Sequence, residues 1–101
     1  MALADDGREI SQPKNVTAVC GTSSANIAWE AVNQPGVVGY NVYSKVSPGG
    51  NYQIMNSVLI VGTTYVAGGL SGHTTYNFGV KTVFSDGFVS GMSDPATCTT
   101  S

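Results

Sequence analysis

No window of ten residues in this chain carries apolar side chains at the three-to-four spacing of a helix face. Short apolar–polar alternations, each closed by a turn signal, recur along most of its length. A chain that cannot present a helical stripe must bury its apolar residues from strands, where every second side chain faces inward. Asn15–Cys20 places Val16, Ala18 and Cys20 on one side, and Gly21-Thr22-Ser23-Ser24 turns the chain. Ala25–Ala31 places Ala25, Ile27, Trp29 and Ala31 together, ahead of the turn Asn33-Gln34-Pro35-Gly36, where Pro presets φ and Gly accepts a positive one. Val38–Lys45 alternates Tyr40 and Val42 against Asn41 and Tyr43, and ends in Ser47-Pro48-Gly49-Gly50. Short strands follow over Tyr52–Met55 and Thr63–Ala67. The longest covers Thr75–Phe84, with Tyr76, Phe78, Val80 and Thr82 on one face, then an Asp86-Gly87 hairpin turn and a last strand over Ala96–Thr100. Val58–Val61 is apolar without alternation, which suits a sheet edge or a cover over the core bottom. About seven short strands at this spacing predict an all-β, seven-stranded sandwich.

The 101 residues suit one domain. Residues 1–12, with Asp5, Asp6, Arg8 and Glu9, are expected to be a flexible lead-in or linker, and 13–101 the folded unit. Ala2-Leu3-Ala4 before Asp5 fits either the end of a cleaved leader or a cloning scar. Lys and Arg number only four, too few for a surface that tracks phosphates, so no nucleic-acid partner is expected. The longest apolar run, four residues, is far short of a membrane-spanning helix of about 20 residues, so no membrane insertion is expected.

In order and spacing, these segments resemble the fibronectin type III domain over about residues 13–100. Pro13 with Val16 and Ala18 is similar to that family's opening strand, Ile27-Ala28-Trp29 to its second strand, and Gly39-Tyr40-Asn41-Val42-Tyr43 to its third. Leu70 followed by Tyr76, Phe78 and Val80 is similar to its tyrosine corner, in which a ring fills the core edge and its hydroxyl reaches a backbone group upstream. The resemblance implies an immunoglobulin-like sandwich with Val16, Ile27, Trp29, Tyr40, Val42, Tyr65, Leu70, Tyr76, Phe78 and Val80 in the core. It also implies a connecting or recognition role without catalysis.

In that topology the first and last strands lie on the same side of the sandwich, which brings Cys20 and Cys98 within reach of a disulfide; the alternative is two small buried thiols. One distant histidine does not complete four ligands with them, so no metal or other cofactor is expected. His73 sits in a turn without a nucleophile or acid beside it, and the acidic residues are scattered, so no catalytic residues are assigned. Asn15-Val16-Thr17 matches the glycosylation acceptor pattern but is read as strand. Tyr43 and Tyr52 are too few for a sugar-stacking platform and fit cross-strand packing.

Val37, Phe84, Asp86 and Phe88 meet at the amino-terminal pole in this topology. They form either an exposed contact patch or, with Phe84 or Phe88 folded back, a cover on the core end. The expected function is that of a spacer or scaffold module in a secreted or cell-surface multidomain protein, whose partners are the flanking domains of the same polypeptide. The alternative is a recognition module that binds a protein or glycan through the loops around Val37 and Phe84–Phe88.

Overall fold

The computed structural model describes residues 2, 3 and 9–101, with side chains from Ser11 onward. Nine strands follow one another: β1 (Ala2–Leu3), β2 (Glu9–Ile10), β3 (Lys14–Cys20), β4 (Ala25–Glu30), β5 (Val37–Val46), β6 (Gln53–Ile54), β7 (Thr64–Ala67), β8 (Thr75–Phe84) and β9 (Ala96–Thr99). Within the expected lead-in, β1 and β2 pair as a two-stranded antiparallel ribbon. Residues 1 and 4–8, half of the expected flexible lead-in and including Ala4 and Asp5 of the expected cleavage pattern, lie outside the described residues.

The remaining seven strands form two antiparallel sheets, ordered β3-β4-β7 and β6-β5-β8-β9. Their inward faces follow the alternation in the sequence. In β4 Ala25, Ile27 and Trp29 are buried, and in β8 Tyr76, Phe78, Val80 and Thr82 are. Together with Tyr40, Val42, Ala67 and Leu70 these apolar side chains make one core, against which Val16, Tyr65, Ile60 and both cysteines pack half-buried. Trp29 meets Tyr40 edge to face at 5.4 Å, a geometry that favours aromatic pairs beyond their buried area. Two expectations are corrected at strand ends. Ala31 is exposed because β4 stops at Glu30, and the fourth strand shrinks to Gln53–Ile54, both exposed on the sheet edge.

Chain direction sets the poles. β3 starts at the pole shared with the 31–36 and 85–95 loops and runs to the opposite one. β9 runs the same way and delivers Thr100 and Ser101 to that far pole, where Ser101 N donates to Gly21 O at 3.0 Å. The stretch before β9 does not form a regular strand. Ser90 and Ser93 are buried there, and their hydroxyls accept from Thr82 N at 2.8 Å and Val80 N at 3.0 Å. Side-chain oxygens thus continue the ladder along β8 where a bent backbone cannot match it.

Candidate functional site

Loop residues at the amino-terminal pole were the sequence-based candidates, and turn chemistry positions them. Gly36 and Gly87 take positive φ values of 91° and 92°, open to glycine without the clash a Cβ would bring. Ser85 N donates to Gly36 O at 2.8 Å and ties the two loops together. The 84–88 turn is closed by Gly87 N on Phe84 O at 3.0 Å and Phe84 N on Phe88 O at 2.9 Å, and Asp86 Oδ1 accepts from Phe88 N at 3.4 Å.

Register then decides which way the aromatics face. Phe84 pairs with Val37 across a bulge between Val37 and Gly39, and this turns the Phe84 ring inward. It is only 1% exposed and forms a small second apolar cluster with half-buried Val37 and Phe88. The four-residue patch therefore does not stand as an exposed face. Phe84 is its buried centre, Val37 and Phe88 flank it, and Ser85, Asp86 and Gly87 are left at the tip.

Cys20 and Cys98 form a disulfide, with Cα atoms 5.7 Å apart. It joins β3 in one sheet to β9 in the other. Nearby, Ser71 N donates to the Tyr76 hydroxyl at 2.9 Å, the hydrogen bond implied by the tyrosine corner. Thr100 Oγ1 donates to Ser71 O at 2.6 Å and accepts from Thr74 N at 3.0 Å. His73 is exposed in this turn, at a φ of 51°. Lys81 Nζ lies 5.1 Å from the Tyr43 ring centre and Lys45 Nζ 4.9 Å from that of Tyr52, so each ring pairs with a cation over its face. Asn15 is exposed at the β3 bulge, with a φ of 55°, and its amide donates to Glu30 at 2.5 Å. Among the described residues no group of three or more His, Cys, Asp or Glu could hold a metal ion, and no helix is long and apolar enough to cross a membrane.

Two features escaped the sequence reading. Asn56 is buried, accepts from Val42 N at 2.8 Å, and donates to Asn41 Oδ1 at 2.8 Å and Val58 O at 3.0 Å. The second feature is the exposure of Val58, Leu59 and Val61 beside it, at 76%, 37% and 80%. A signal for the second was present: no Asp, Glu, Lys or Arg occurs between Lys45 and Lys81.

Two antiparallel sheets joined across one flank, with a tyrosine corner feeding the long strand, define an immunoglobulin-like sandwich module. The chain belongs to the fibronectin type III domain family, whose model matches residues 11–99. It is similar to the amylopullulanase of Thermoanaerobacterium saccharolyticum, at 29% identity over 96 residues, covering 92% of this chain and 7% of that protein. The amylopullulanase of Thermoanaerobacterium thermosulfurigenes is 26% identical over 99 residues, covering 95% of this chain and 5% of that protein. The chain thus spans less than a tenth of either relative. Among solved structures, an Fn3-like protein from Clostridium thermocellum superposes with a TM-score of 0.77 at 28% identity, covering 91% of this chain and 94% of that one.

Proposed function

We propose that this chain is a non-catalytic spacer module that holds neighbouring domains of an extracellular or cell-surface polypeptide at a set separation. The observation that carries the reading is the path of the chain: β3 begins at one pole and β9 ends at the other, in a molecule whose principal extents are 45 × 25 × 22 Å. Anything joined before β3 and after β9 is held apart along the long axis by a packed core rather than by a flexible linker. Matching stretches within much longer amylopullulanases support a modular setting with flanking domains as the partners. The Cys20–Cys98 bond supports an oxidising compartment, where such links persist. The burial of Phe84 removes the centre of the recognition surface that the loops would otherwise offer.

The test is a fusion of the 101-residue chain between donor and acceptor fluorescent proteins, measured molecule by molecule. A spacer gives one narrow transfer-efficiency peak that persists until the domain melts. A broad, linker-like distribution under native conditions contradicts the reading. The same fusion run through gels containing soluble starch or pullulan is expected to migrate unretarded; specific retardation would favour glycan recognition.

A further inference from the structure

We propose that the segment Val58–Val61 is a strand-addition edge whose partner is the same segment of a second copy of this chain. Ile60 exchanges both backbone bonds with Tyr40, Tyr40 N to Ile60 O at 2.8 Å and Ile60 N to Tyr40 O at 3.1 Å. The amide and carbonyl groups of Leu59 and Val61 therefore point away from β5, as alternate residues of an extended strand must. Among the described residues no hydrogen bond uses the backbone of either. Gly39 fixes this approach, since a Cβ there would meet Leu59 Cγ at 2.6 Å and Ile60 O at 2.7 Å.

Exposed apolar side chains accompany these open backbone groups. Val58, Leu59 and Val61 are exposed, and so, at 41%, is Val38 at the β5 bulge. An edge of this kind is normally blunted by a lysine or another charge, by a proline, or by a covering element. Here the charge-free stretch from Val46 to Val80 supplies no charge along it.

The occupant follows from the chemistry of the edge. It must be extended, apolar and uncharged, with open backbone groups at alternate residues. Leu59–Val61, which follows the bend at Val58 and carries open backbone groups at both of its ends, meets these conditions. Antiparallel pairing about a two-fold axis at Ile60 sets Leu59 of each copy opposite Val61 of the other, forming about four backbone hydrogen bonds. No charge on this segment opposes the approach of an identical one. The exposed apolar area, a few hundred Å², falls below the roughly 800 Å² per partner of a stable complex, so the association is weak and reversible.

Sedimentation equilibrium of the 101-residue chain from micromolar to millimolar concentration tests this. The average mass is expected to climb from monomer towards dimer in the upper part of that range. Val61→Lys should weaken the association at least tenfold. Val19→Lys, at a site 68% exposed on β3, should leave it unchanged. A chain that stays monomeric at millimolar concentration overturns the proposal, as does a dimer that loses affinity equally with either variant. If Val61→Lys does not fold, amide shifts of the unmodified chain decide. Concentration-dependent changes centred on Leu59 and Val61 support the edge, and changes confined to other residues refute it.

Discussion

The two flanks of this sandwich are closed by different means. On one, β3 and β9 run side by side and the Cys20–Cys98 bond links the sheets covalently. Thr100, Ser101 and the Tyr76 hydroxyl satisfy the backbone of the turns around it. On the other, no covalent link joins the described residues. Asn56 stands in for a missing stretch of strand along β5, Ile60 makes a single bridge to Tyr40, and Tyr65 reaches Met55 O with its hydroxyl at 3.1 Å. Ile54, Val58, Val61 and Val66 are more than half exposed along that flank. Apolar burial alone closes a sheet only where backbone partners are also supplied. Where they come from a side chain, the edge stays short and part of it remains open.

Substitutions on each flank sharpen the contrast. The largest effect is expected from Cys20→Ser with Cys98→Ser. Removing a link across 78 residues should cost about 4 kcal/mol and lower the melting temperature on the order of 20 °C. Thermal scans with and without reductant should reproduce that drop, and a thiol titration of the unfolded, unreduced chain should find no free cysteine.

Asn56→Ala is the counterpart on the open flank. It leaves Val42 N buried without its acceptor, and should cost about 3 kcal/mol by denaturant titration. A loss below about 1 kcal/mol would mean that this flank closes without the amide. Tyr76→Phe removes one acceptor from the closed flank and should cost about 1 kcal/mol, because exposed Ser71 lets water replace the hydroxyl. The smallest effect is expected midway between the flanks. Thr82 Oγ1 is buried without a hydrogen-bond partner among the described residues. Thr82→Val should therefore raise stability by somewhat under about 1 kcal/mol in the same titration.

The closed flank was the more legible of the two in the sequence. Period-two alternation placed Val16, Ala18 and Cys20 on one face, and the resemblance to the fibronectin type III topology put the first and last strands side by side. That left a disulfide and two buried thiols as the open readings; the structure has the disulfide. Tyr76 was readable for the same reason, since its partner lies only five residues upstream. The open flank depends on tertiary detail that a pattern of two does not carry. Val58–Val61 is apolar at every position, so nothing in its pattern distinguishes an inward Ile60 from outward Leu59 and Val61. Asn56 resembles an ordinary turn residue until Val42 N is seen to lack a backbone acceptor, while Val42 O takes Met55 N. Phe84 was ambiguous for a related reason. One extra residue at the Val37–Gly39 bulge sets the pairing that buries its ring, and a bulge shifts register without a marker of its own in this segment.

Native-state amide hydrogen exchange, at a concentration low enough to keep the chain monomeric, compares the flanks most directly. The account predicts that the Leu59 and Val61 amides exchange orders of magnitude faster than those of Phe78 and Cys98. Equal, slow exchange at all four amides would show that the Val58–Val61 edge is closed after all, and would contradict it.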